Sequence, residues 1–205
     1  RLAAGGATAT TRIEVAYREL YGGPWAESGQ HAAIEHNWIK AFPCCLQTHS
    51  SIEAADIASS HGADPEGKAV VTVHPRSRQA APFDDVTTGT EAKFSIPYTV
   101  AMTVALGPPT VESLTRIDDR VKQLASRVEV RTDDSLQESE AILEWHGGHH
   151  PIVVRVDAAR GSPQRPMTDD ELQDKVHSLA GTRLDGALDD LGAPAGDVLA
   201  LITEP

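Results

Sequence analysis

The β-patterned sequence of this chain lies between residues 68 and 159, and helix-start signatures stand on both sides of it. "KAVVTVHP" alternates and is β-branched, giving a strand over about 68–74 stopped by Pro75; "VEVRT", "SEAILEWH" and "PIVVRVDAA" give three more. The Gly-rich "GGHH" between the last two suits a hairpin, and "DDRVKQLASR" between the first two reads as a helix. A centre of strands and helices with helical flanks predicts an α+β fold, with an antiparallel sheet in the middle.

The helical signatures are specific. Thr11-x-x-Glu14, Ser50-x-x-Glu53 and Thr168-x-x-Glu171 each match a capping box, in which a hydroxyl and a carboxylate satisfy the free N–H groups of a first helical turn. The first opens "RIEVAYRELYG". The second opens "SIEAADIASSHG", with Ile52, Ala55 and Ile57 available for an inner face and Gly62 as terminator. The third opens "DDELQDKVHSLAG", with shorter helical pieces following to Ile202. A further helix starts in "FSIPYTVAMTVALG", where Ser95 caps, Pro97 fits the first turn and Gly107 ends it. The stretch "RSRQAAPFDDVTTGT" reads as loop, and no internal repeat is visible.

Composition narrows the function. A formal charge of -12 and the lack of a Lys/Arg cluster argue against nucleic-acid binding. No apolar run approaches the roughly 18 residues of a membrane span, and "RLAAGGATAT" has no apolar signal core, so the expected location is the cytoplasm. The two cysteines, Cys44 and Cys45, are neighbours and form no extracellular disulfide framework.

One segment departs from the acidic background. Between Glu35 and Glu53 there is no Asp or Glu, while His36, Lys40 and His49 are present. Cys44, Cys45 and His49 lack the second ligand pair that zinc needs, and His146, His149 and His150 are explained by a solvated hairpin; the expected metal content is none. Adjacent cysteines also lack the two-residue spacing of a dithiol redox motif, so packing is the reading adopted for both. An anion site fits the segment better. Pro43 keeps Lys40 and His49 off a common helix and places them on the lead-in to a helix N-terminus, where free N–H groups attract anions. Ser50 belongs to that terminus, and Ser95 with Tyr98 marks a second one; two such ends facing one cleft suit a carboxylate substrate. The plainer alternative makes Lys40 a surface residue, His49 a helix neighbour and Tyr98 a core ring.

Four stretches, "KAFPCCLQTH", "AKFSIPYTVAMTVALG", "LASRVEVRTDD" and "GSPQRPMTDDELQDKV", occur in the order found in the MmgE/PrpD family, and the chain resembles the C-terminal half of its members. That family includes 2-methylcitrate dehydratase, cis-aconitate decarboxylase and iminodisuccinate epimerase. The resemblance implies an α+β lid over residues 39–165, with 1–38 and 166–205 belonging to an all-helical domain. It also implies chemistry without metal or organic cofactor, in which protons move on carbons next to carboxylates. Lys40, His49 and Tyr98 match pocket-lining positions and are the implied catalytic residues, with Ser50 and Ser95 as implied substrate-binding residues. Lys40 is assigned to carboxylate binding, His49 and Tyr98 to orientation or proton transfer.

Decarboxylating members carry a histidine where this chain has Cys45, which puts epimerisation or dehydration ahead of decarboxylation. Family members are also about twice this length, and their N-terminal helical part supplies further catalytic groups. The expectation is therefore a trimmed chain, a fragment, or one subunit of a split enzyme, completed by a separately encoded N-terminal helical partner in a hetero-oligomer. A non-catalytic scaffold or regulatory subunit of the same fold is the alternative.

Overall fold

The computed structural model describes residues 37–148 and 150–181, together with Val15, Arg18, Glu19 and Gly22. The Thr11/Glu14 helix start, His149 and the helical pieces running to Ile202 lie outside the described residues. The chain divides into two compact units, Arg1–Asn37 and Trp38–Pro205, and the second holds all the elements below.

Among the described residues, six helices and four strands follow a short 3-10 turn at Leu46–Thr48. They are α1 (His49–Ser60), β1 (Lys68–Val73), α2 (Pro75–Ala80), α3 (Gly89–Ala92), α4 (Ile96–Leu106), α5 (Asp119–Ala125), β2 (Val128–Thr132), β3 (Ala141–His146), β4 (Ile152–Val156) and α6 (Asp169–Ala180). The sheet order is β2-β1-β3-β4. β3 pairs antiparallel with both β1 and β4, whereas β1 and β2 run parallel, from Ala69↔Val128 to Val73↔Thr132. The fold is α+β as expected, but the sheet is mixed. Strand alternation reports which face is buried and carries no information on direction.

Alternation fixes the inner face. Ala69, Val71 and Val73 of β1, Ala141, Leu143 and Trp145 of β3, and Val154 and Val156 of β4 are buried, while Glu129, Arg131 and Arg155 stay outside. Trp145 is the largest fully buried side chain, and its indole N–H donates to Asp64 O at 3.0 Å, so its one polar atom is satisfied.

Helices α1 and α4 pack together, α1 also meeting β3 and β4, and α4 also meeting β2 and α5. α4 is apolar on nearly every side and buried from Ile96 to Val104. Its two threonines hide their hydroxyls on the preceding turn: Thr99 donates to Ser95 O at 2.8 Å and Thr103 to Thr99 O at 2.7 Å. Its start follows expectation, since Ser95 accepts from Tyr98 N at 3.1 Å and Pro97 sits in the first turn. α1 approaches its neighbours through small residues, with Ala54, Ala55, Ala58 and Ser51 all buried.

Three local expectations change. The Ser50/Glu53 capping box does not form: the 3-10 turn runs straight into α1, which starts at His49 with Thr48 as cap residue and no side-chain cap bond. Ser50 therefore lies inside the helix, where its hydroxyl donates to Glu140 O at 3.3 Å, and Glu53 is free to bond elsewhere. Ile57 is 40% exposed, off the inner face. The stretch read as loop after Pro75 contains most of α2 and the start of α3; His74 Nδ1 accepts from Arg76 N to start α2, and Thr88 with Glu91 forms a complete capping box for α3. The Thr168/Glu171 box is present as expected. Among the described residues, no helix is long and apolar enough to cross a membrane.

Both thiols are buried. Cys44 Sγ lies 3.2 Å from Thr48 Oγ1, and burial pushes its pKa up to about 11; Cys45 Sγ donates to Ala80 O at 3.8 Å. At pH 8 only about 0.1% of Cys44 is thiolate, and the thiolate is the reactive form. Ellman's reagent is expected to react slowly with the native chain and to titrate 2 thiols once guanidinium unfolds it. Rapid native labelling of Cys44 contradicts this packing.

Candidate active site

Residues 39–45 form an irregular segment, bent over 41–44 and held by three contacts from distant parts of the chain. Ile39 N donates to Gly161 O at 2.9 Å, Cys45 N donates to Lys93 O at 2.8 Å, and the Lys175 ammonium donates to Lys40 O at 2.6 Å. A cleft of about 580 Å³ opens beside this segment, walled by residues 40–43, 109–112 and Lys175, Ser178 and Leu179 of α6. The 109–112 wall is self-bracing. Thr110 N donates to Ser113 Oγ, Ser113 N donates to Thr110 Oγ1, and Ser113 Oγ reaches Met102 Sδ of α4 at 3.4 Å.

Lys40 is an exposed residue and lines this cleft. His49 stands one ring behind the wall. Phe42 lines the cleft, and its ring meets the imidazole edge-on with centroids 5.2 Å apart at 72°. The imidazole is fully buried, and neither Nδ1 nor Nε2 has a hydrogen-bond partner. Burial lowers its pKa to about 4, helped by the positive charges of Lys40 and Lys175; backbone groups of Phe42 and Cys44 oppose this without bonding either nitrogen in good geometry. His49 is therefore neutral at pH 7, with a base nitrogen free to accept.

The other three candidates already have hydrogen-bond partners. The Tyr98 ring is buried, and its hydroxyl accepts from Asp118 N at 2.9 Å at the start of α5; burial raises its pKa. Ser95 caps α4 and Ser50 bonds to Glu140 O, both buried. The structure thus brings Lys40 and His49 to the same wall and seats Tyr98, Ser50 and Ser95 away from the residues that line the cleft.

Residues that sequence reasoning did not single out shape this wall. The Arg160 guanidinium lies 5.6 Å from the Phe42 ring centroid, on a segment fastened to α1. Glu53, nearly buried, accepts from Arg160 N and from Arg165 Nη1 at 2.6 Å, so the carboxylate expected in a capping box clamps the chain returning toward α6. Gly161 in that segment has φ +82°, and a Cβ there would stand 2.0 Å from Ile39 O. Lys175 is another such residue; its only sequence signal is a lysine within an acidic amphipathic helix.

A family model described as the MmgE/PrpD C-terminal domain matches residues 42–191. The chain belongs to the MmgE/PrpD family, which includes dehydratases and epimerases. No curated protein matches the chain. Among the described residues, no group of three or more His, Cys, Asp or Glu is arranged to hold a metal ion.

Proposed function

We propose that the chain is the C-terminal part of a cofactor-independent MmgE/PrpD-type enzyme that moves a proton on a carbon next to a carboxylate, by epimerisation or dehydration. The observation carrying this reading is the pairing of the cleft cation Lys40 with a buried, neutral His49 whose ring nitrogens have no partner. A substrate carboxylate at Lys40 offsets the positive field that depresses His49 and raises its proton affinity as the substrate arrives. The base thus strengthens only when there is a proton to take. Access requires the Phe42 ring to turn aside, since it separates the imidazole from the cleft. On this reading Tyr98 braces the start of α5 through Asp118 N rather than touching substrate, and an N-terminal helical subunit supplies the remaining catalytic groups.

The test is solvent-deuterium exchange at the α-carbon of 2-methylcitrate or cis-aconitate, followed by NMR with the chain and an N-terminal helical partner. Lys40→Ala and His49→Ala are each expected to lower the exchange rate by about 10²–10⁴-fold. Unchanged rates in both variants remove the site assignment.

One observation favours a second reading. The Tyr98 hydroxyl is bonded to the backbone and both His49 nitrogens are shut from solvent, which also suits a scaffold subunit that completes a partner without catalysis. That reading expects both substitutions to leave the partner's turnover intact, while charged residues at Leu172 and Val176 of α6 break the complex.

A further inference from the structure

Lys175 is the seventh residue of α6 and shares the cleft with Ser178 and Leu179, three and four positions on and therefore on the same helix face. It meets Lys40 across a separation of 135 residues, donating to that residue's carbonyl at 2.6 Å. An ammonium has three N–H donors, and one carbonyl occupies one of them. Among the described residues, neither Lys40 nor Lys175 has a carboxylate within ion-pair distance, although Glu112 lines the same cleft. Lys68 and Lys93 also lack an ion pair, but Lys40 and Lys175 meet on one wall, and that juxtaposition in an acidic protein concentrates positive charge at the cleft. Partial burial also disfavours the charged form of Lys175, which makes an incoming anion a more effective partner.

We infer that Lys175 is a positioning and specificity residue of this cleft: it holds the Lys40 backbone through the carbonyl and offers its remaining donors to a second anionic group, so that ligands with two carboxylates are preferred over ligands with one. The inference rests on reading the cleft as a carboxylate site. Lys40 takes the first carboxylate and Lys175 the second. The two cations come from segments far apart in sequence, so the separation of the bound carboxylates is set by how α6 docks on residues 40–43.

The test titrates succinate and acetate into the ¹⁵N-labelled full chain at constant ionic strength and follows amide shifts at residues 40–43 and 110–112. Wild type is expected to bind succinate roughly tenfold more tightly than acetate. Lys175→Gln keeps an amide donor on α6 and removes the charge; it is expected to weaken succinate more than acetate and so bring the ratio to about one. Lys175→Arg retains the charge and is expected to keep most of the preference. A Gln variant with the wild-type ratio overturns the inference and leaves the carboxylate reading standing. So does a wild type that does not distinguish the two ligands, or a preference lost equally in the Gln and Arg variants. If neither ligand gives saturable shifts at the cleft of the wild type, the carboxylate reading fails and this inference goes with it.

Discussion

A Gly161→Ala variant is expected to unfold about 2–4 kcal/mol more easily than wild type and to lose the ordered path of the chain through Lys40. Two effects add. The backbone at Gly161 has φ +82°, a region alanine occupies at a penalty of about 1 kcal/mol. The added methyl would also stand 2.0 Å from Ile39 O and 3.1 Å from Ile39 C, both backbone atoms that no rotamer change can move. Relief requires the two segments to separate, breaking the Ile39 N–H bond to Gly161 O one residue before Lys40. Gly62→Ala is the matched control: its φ is +84°, but nothing lies within 4 Å of the new methyl, so about 1 kcal/mol is expected. Guanidinium unfolding of both variants gives the comparison. Equal losses would show that the crowding at Ile39 is unimportant; a larger loss for Gly161→Ala, with shifted amides at 39–42, supports the clamp.

Acid is expected to destabilise the protein through His49 by an amount on the order of 3 kcal/mol between pH 6.5 and pH 4. The imidazole titrates near 6.5 when unfolded and near 4 when folded. Above pH 6.5 it is neutral in both states and the contribution to stability is complete. As pH falls through this window the unfolded chain takes up the proton first, so it binds more protons than the folded chain and stability drops. Below about pH 4 both forms are charged and this source of loss is exhausted. His49→Gln removes the titration, so the difference between wild type and variant should narrow or reverse as pH falls from 7 to 4.5. Carboxylates held by arginines add their own acid sensitivity to both proteins, which is why the difference is the quantity to measure. A wild-type curve parallel to that of the variant across the window means that the folded imidazole is accessible to protons at its ordinary pKa.

How much of this was legible in the sequence depended on whether the partners were close along the chain. Helix α4 announced itself because cap, proline and terminal glycine act within their own turns, and the structure shows Ser95, Pro97 and Gly107 in those roles. Lys40 and His49 could be associated because only eight residues lie between them. Nothing local linked Lys175 to Lys40, or Glu53 to Arg165, since those contacts exist only after the segment near Gly161 has folded back. Three of the S/T-x-x-E patterns among the described residues make the same point. Thr168/Glu171 and Thr88/Glu91 form capping boxes because each threonine is preceded by non-helical chain; Ser50/Glu53 does not, because a 3-10 turn has already begun the helix. The pattern states what a first turn can use, and the upstream backbone decides where that turn is.

Parallel pairing of β1 with β2 obliges the chain to leave the sheet and come back in the same direction, and residues 107–118 link α4 to α5 within that excursion. Both of its ends are pinned, by the Gly107 terminus of α4 and the Asp118 cap of α5, while residues 109–112 supply part of the cleft wall. Insertions or deletions there would resize the chamber and leave strand register untouched. Mutation can therefore explore which molecules are admitted without reopening the question of how the polypeptide folds.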